Sequence, residues 1–211
     1  MNGCTLLLVR HAHTRDNGGS STPRLVGRYD SPLSSLGEKQ VERLRGALAG
    51  EAAEAAYASP LRRAMATARA LPERLHPLPL GSLQEIYCGR FDGWLLSDVQ
   101  QQHPDLWKRN LAQDDDSFRW PGGETYARFR ARVLRTVRAL AGRHCGGRVV
   151  AVTHAGFISQ LLGCLAGARP SRWEQFRPGN ASITEVRWGA GEKASVVRYD
   201  DRRHLEDLAG E

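Results

Sequence analysis

The stretch Val9-Arg10-His11-Ala12-His13 sets a guanidinium and two imidazoles at the end of the apolar run Leu6-Leu7-Leu8. A run that short reads as a buried strand of a parallel-type sheet, not a membrane span. In open α/β sheets, ligands bind at the carboxyl ends of such strands. Arg10 offers a planar fork for an anion, most simply phosphate, and a neutral His11 offers a nucleophilic nitrogen. His11-x-His13 could also hold a divalent metal, although Arg10 is a poor neighbour for a cation, or His11 could be an ordinary histidine after a core strand. A second apolar run, residues 148–153, also ends in a histidine, His154. Arg63 falls in the first turn of a predicted helix, and Glu85 opens a Gly-rich loop after a predicted strand at residues 80–85. Arg10, His11, Arg63, Glu85 and His154 can therefore share one sheet edge. There the cations would neutralise a phosphoryl group, a histidine would attack it and the carboxyl would manage the proton.

These side chains need elements to position them. Residues 18–23, Gly-Gly-Ser-Ser-Thr-Pro, read as a flexible loop. Ser34 or Ser35 can cap a helix with Val41, Leu44 and Leu48 on one face and Gly50 past its end. Residues 55–58 read as a weak strand, and Ser59-Pro60 as the cap and first position of a helix over 61–71. Residues 85–123 read as an inserted region that could overhang the sheet, with one or two short helices between 95 and 113 broken at Pro104. A long amphipathic helix over 124–143 buries Phe129, Val133, Val137 and Leu140. A helix follows His154 through Leu165, and late strands are predicted at 181–188 and 194–199. Alternating strands and helices argue for a three-layer α/β/α sandwich, a mostly parallel sheet flanked by helices, in a single domain spanning residues 1–211.

Composition bounds the partners. The 211 residues suffice for a real core, and no apolar run or signal-like opening points to a membrane. Cys4, Cys88, Cys145 and Cys164 are scattered without metal spacing, which suits reduced thiols and a cytoplasmic location. A net charge of +7 raises the question of nucleic acid. However, Arg128, Arg130, Arg132, Arg135 and Arg138 read as the solvated face of a helix, and no stacking-aromatic motif is visible. Attraction of small anions is the better reading. Trp107, Trp120, Trp173 and Trp188 are expected in the core or at its rim. Tyr87, Phe91 and Trp94 could line a ligand or pack the inserted loop.

The chain resembles the histidine phosphatase superfamily, the branch that includes cofactor-dependent phosphoglycerate mutases and many small phosphatases. Arg10-His11-Ala12-His13-Thr14-Arg15-Asp16-Asn17 is similar to its Arg-His-Gly-Glu/Gln-Thr-x-x-Asn signature, and residues 30–37 to the segment after it. Ser59-Pro60-Leu61-Arg62-Arg63-Ala64 resembles its Ser-x-Leu-x-Arg-Ala motif. Leu83-Gln84-Glu85 through Asp92-Gly93 resembles its Leu-x-Glu segment, and Thr153-His154-Ala155-Gly156 its final His-Gly motif. The resemblance implies a phosphoglycerate-mutase-like fold and a phosphomonoester hydrolase of small phosphorylated metabolites, with no metal and no cofactor. It implies that His11 becomes phosphorylated and that Glu85 gives the leaving oxygen its proton. Arg10, Arg63, His154 and Asn17 would line the phosphate pocket, and Ala155 and Arg28 are also expected to bind the substrate.

Three positions depart from the pattern: Ala12 and Ala155 stand where Gly is usual, and His13 where Glu or Gln is usual. Cys88 stands where the mutases carry a substrate-contacting Tyr, which favours phosphatase over a mutase-type phosphotransferase. A low-turnover member that binds a phosphorylated ligand is the rival from another class. The expected partner is a small-molecule phosphate ester, not nucleic acid or membrane, with a homodimer left open. Arg62 is expected to be solvated, and His76, His103, His144 and His204 carry no motif.

Overall fold

Strand β1 (Cys4–Arg10) lies inside a six-stranded mixed sheet, and its residues from Leu6 to Val9 are fully buried. The computed structural model describes residues 3–17, 22–168, 174–189 and 193–208. Gly18, Gly19, Ser20 and Ser21 of the predicted loop, and Trp173, lie outside the described residues. The remaining strands are β2 (Ala55–Ala58), β3 (Leu78–Pro79), β4 (Arg148–Thr153), β5 (Ile183–Trp188) and β6 (Ala194–Asp201), in the order β3-β2-β4-β1-β5-β6. The pairs β3·β2, β2·β4 and β4·β1 are parallel, whereas β1·β5 and β5·β6 are antiparallel.

The helices are α1 (Ser35–Leu48), α2 (Arg62–Thr67), α3 (Leu96–Gln102), α4 (Pro104–Ala112), α5 (Tyr126–Arg143) and α6 (Ala155–Leu165). One face of the sheet packs Leu6, Leu8 and Val149 against Phe129, Val133 and Val137 of α5 and Phe157 and Leu161 of α6. The other face packs Leu7, Val9 and Val150 against Val41, Leu44 and Leu48 of α1 and Ala64 of α2. The α5 stripe is the predicted one. Ser34 caps α1 by accepting from the Gly37 N–H at 3.1 Å, and Pro104 separates α3 from α4 as its first-turn proline. No helix among the described residues is long and apolar enough to cross a membrane.

Three local expectations change. The strand predicted at residues 80–85 is instead the short edge strand β3, followed by a 3₁₀ turn at Gly81–Leu83. Pro77 and Pro79 lack the N–H groups a longer ladder would need. The helix predicted over 61–71 begins at Arg62 and becomes 3₁₀ at Ala68–Ala70, with no side-chain cap. Ser59 lies ahead of the first turn: the N-cap is Leu61, whose N–H donates to the Ser59 hydroxyl at 3.4 Å. Arg132 is not solvated: its side chain is 13% exposed and reaches the backbone of the Glu85 segment.

Candidate active site

Parallel pairing of β1 with β4 aligns Arg10 with Thr153, so the residues that follow each strand, His11 and His154, emerge side by side. The His11 N–H donates to the Thr153 carbonyl at 2.9 Å, and the two imidazole centroids lie 5.2 Å apart at 57°. His11 Nδ1 is 2.8 Å from the Ala12 carbonyl. A carbonyl only accepts, so Nδ1 carries the proton and Nε2 keeps its lone pair. Burial and the neighbouring Arg63 and Arg10 charges push the His11 imidazolium well below its ordinary range. The ring is therefore neutral and oriented, the state a nucleophile needs.

Cations surround it. Arg10 and Arg63 are 8% and 1% exposed. Arg10 Nη1 donates to the Pro178 carbonyl at 2.6 Å. Arg63 Nη1 and Nη2 donate to the carbonyls of Tyr29 and Gly27 at 2.7 and 2.6 Å. Among the described residues, the Nε of each arginine has no partner, and neither does Nδ1 of His154. His154 Nε2 lies 2.7 Å from the Ser59 hydroxyl; with that hydroxyl donating, Nδ1 of His154 bears the hydrogen. Buried donors without acceptors are rare, and here three of them belong to His11's immediate neighbours. An anion would satisfy them.

Glu85 is 8% exposed and follows the 3₁₀ turn. Its carboxylate accepts from the Ile86 N–H at 2.9 Å and the Gly156 N–H at 2.8 Å. Burial raises its proton affinity, and these two bonds together with Arg63 oppose that. Arg132 from α5 holds the segment from behind, donating to the carbonyls of Gln84 at 2.6 Å and Glu85 at 3.2 Å. Gly156 permits the arrangement, since a Cβ there would sit 2.3 Å from Glu85 Oε1.

A cavity of about 690 Å³ opens over this edge, and Arg10, His11, Asn17, Glu85 and Ala155 line it. Arg63 and His154 stand behind that wall beside His11. Asn17 Nδ2 donates to Asn180 Oδ1 at 2.9 Å, and Asn180 Nδ2 donates to the His11 carbonyl at 3.0 Å. Arg28 is not on the wall. Its Nε donates to the Glu85 carbonyl at 3.5 Å, its Nη2 lies 3.8 Å from Glu124, and its guanidinium lies 5.4 Å from the Tyr87 ring centroid. Phe91 is buried, its ring tilted against those of Trp94 and Trp120, while Tyr87 and Trp94 are partly exposed and do not line the cavity.

The departures from the expected pattern are accommodated. Neither Ala12 nor Ala155 has a left-handed backbone, so no glycine is required. Ala12 packs fully buried under α1 and α2. His13 turns to α1, with Nδ1 2.8 Å from the Ser34 hydroxyl and its N–H on Gln40; His11 and His13 thus serve different partners. Among the described residues, no three His, Cys, Asp or Glu side chains gather as metal ligands. Asp92 is a loop clamp, accepting from the N–H groups of Gly27, Arg28, Tyr29 and Cys88. Sequence reasoning missed Ser59, Arg132, Asn180 and Arg177; only the Pro178-Gly179-Asn180 turn signal before β5 pointed toward the last two.

Residues 6–201 match the family described as the histidine phosphatase superfamily (branch 1). Phosphoserine phosphatase 1 of Hydrogenobacter thermophilus is 29% identical over 202 residues, covering 95% of this chain and 89% of that protein. Glucosyl-3-phosphoglycerate phosphatase of Mycolicibacterium vanbaalenii is 33% identical over 86% of this chain and 83% of its own. The native structure of a mycobacterial glucosyl-3-phosphoglycerate phosphatase superposes with a TM-score of 0.82 at 27% identity, covering 95% of this chain and all of that one.

Proposed function

The chain belongs to branch 1 of the histidine phosphatase superfamily, and from that premise we propose that it hydrolyses small phosphate monoesters through a phosphohistidine at His11. The observation that carries this is the set of unpartnered buried donors, Arg10 Nε, Arg63 Nε and His154 Nδ1, around a histidine whose Nε2 is free. The phosphoryl oxygens take those donors. Nε2 of His11 attacks phosphorus, the ester P–O bond breaks, and the protonated Glu85 carboxyl gives its proton to the departing alkoxide. In the second half, the Glu85 carboxylate takes a proton from water. The oxygen of that water attacks phosphorus, the P–N bond breaks and inorganic phosphate leaves. Arg10 and Arg63 stabilise the phosphoryl charge in both steps; burial lowers Arg10's proton affinity, but a guanidinium still stays charged at neutral pH.

The relatives named for phosphoserine and glucosyl-3-phosphoglycerate phosphatases support hydrolysis over mutase-type transfer, as does Cys88 on the cavity wall. Four cysteines that form no disulfide among the described residues support a reducing compartment, the cytoplasm. The test is rapid-quench detection of an acid-labile phosphoryl group with an alkyl phosphate, followed to free phosphate in the presence of a chelator. A phosphorylated His11 and stoichiometric inorganic phosphate are expected, with the chelator without effect. Transfer to a second alcohol without phosphate release would make it a transferase, and no phosphorylated protein would make it a binding member.

A further inference from the structure

Helix α4 has no buried residue, although its sequence is amphipathic. Leu106 and Trp107 pack only partly against the core's edge, and Leu111 is left 62% exposed. Trp107, Asn110 and Leu111, at i, i+3 and i+4, share one helix face, and all three line the cavity above His11. Leu25, Ile86, Leu96 and Trp120 line the same cavity. The cavity's 690 Å³ is several times what a phosphoryl group on a three-carbon alcohol fills.

Several polar groups on the same walls have partners within the chain. Tyr126 Oη donates to Asn110 Oδ1 at 2.9 Å. Gln113 Oε1 accepts from the Glu174 N–H at 3.3 Å. Arg24 is held by the Gly93 carbonyl at 2.6 Å and by Asp16 at 3.3 Å. Arg177 pairs with Glu174 at 3.1 Å, and Asn17 with Asn180. An apolar body would cover Trp107 and Leu111 without disturbing these contacts.

We infer that the substrate is the phosphate ester of a bulky, mainly apolar alcohol, its phosphoryl end at His11 and its apolar body against α4, Leu25, Ile86 and Leu96. This rests on the phosphatase reading only in placing the phosphoryl end, so its test measures binding without turnover. Calorimetric titration of the full chain would compare 2-(1-naphthyl)ethylphosphonate with ethylphosphonate and with the phosphonate isostere of phosphoserine. The naphthyl compound should bind at least about tenfold tighter than the ethyl one, about 1.4 kcal/mol, and tighter than the isostere. Leu111→Asn, at an exposed position that tolerates substitution, should reduce the naphthyl-to-ethyl ratio threefold or more, and Trp107→Ala should reduce it further. Equal affinities, undetectable binding, tighter binding of the isostere, or a ratio unmoved by both variants would overturn the inference. A phosphorylated His11 together with equal affinities would sink only this inference. A clear naphthyl preference without any phosphohistidine would instead sink only the hydrolytic reading.

Discussion

His11 and Glu85 are buried to nearly the same degree, and burial disfavours the charged form of each. The imidazole sheds its proton and the carboxyl keeps one, which is the pairing that attack and leaving-group protonation require. His11→Ala should therefore abolish turnover of every ester, since no other side chain beside the pocket offers a free, oriented nitrogen. Glu85→Gln should lower turnover of an alkyl phosphate by roughly 10²–10⁴-fold, the usual worth of acid–base help. Phosphohistidine formation from a nitrophenyl phosphate should suffer far less, because that leaving group needs no proton; equal losses in rapid-quench traces would remove Glu85 from the acid role. The pH dependence follows with definite signs. Activity should fall on the acid side only below the ordinary histidine range, as the depressed His11 finally protonates. It should fall on the alkaline side above the ordinary carboxylate range, as the raised Glu85 ionises. The kcat/KM profile for an alkyl phosphate should thus be a bell centred below neutrality, and Glu85→Gln should erase its alkaline limb; a limb near 6 that survives belongs to the ester's own second ionisation. At this scale His11, Arg63 and Glu85 were legible because chemistry restricts residue type. Ser59 and Arg132 were not: a serine before a proline reads as a cap, and an arginine in a periodic helix reads as solvated, until tertiary contacts supply their partners.

Helices α1 and α5 were legible from a 3.6-residue apolar stripe, and α6 from a run after His154 that is buried on every side, whereas β3 and α2 are short and owe their limits to prolines and to the 3₁₀ turn after Thr67. The start of α6 does more than continue the chain from β4. Its Gly156 N–H holds Glu85 Oε2 at 2.8 Å, so this helix end fixes the acid against the nucleophile. Gly156 has no left-handed φ, so alanine suits its helical backbone, and only the 2.3 Å approach of Glu85 Oε1 forbids a methyl group. Gly156→Ala should fold with a melting temperature within a few degrees of the parent, yet displace the carboxyl. The expected result is at least a tenfold loss of kcat on alkyl phosphates and a smaller loss on nitrophenyl phosphate. Unchanged alkyl turnover would show that the Gly156 contact does not position the acid.

Strand order is a property of the whole molecule, and periodicity alone could not supply it. The alternating elements implied a sheet, but the placement of β1 between the parallel β4 and the antiparallel β5 depends on pairings across most of the chain's length. The same pairings separate catalysis from an ion-pair cluster lower in the sheet. Glu185 stands opposite Leu7, four residues before His11 and roughly 13 Å down the strand at the usual rise. Its carboxylate lies 3.2 Å from Arg148 and 3.5 Å from Arg198, and Glu51 meets the same two arginines at 2.9 and 3.3 Å. The cluster thereby ties β4, β5 and β6 to the end of α1. Glu185 itself is only 9% exposed, while the arginines are about a quarter exposed, so removing its charge leaves two partly screened cations facing Glu51 and, at Arg198, also Asp201 3.2 Å away. The cost should lie below the 3–5 kcal/mol of a fully buried broken pair and above that of a surface pair, at about 1–2 kcal/mol. For a chain of this length that is a drop of roughly 2–8 °C in melting temperature. Glu185→Gln should show that drop at neutral pH. Its kcat/KM at 25 °C should match the parent's, because no contact of the cluster reaches His11, Arg63 or Glu85. A variant that kept its melting temperature but lost activity would mean that the ion cluster reaches the site through β1, and that the two ends of the sheet are not independent.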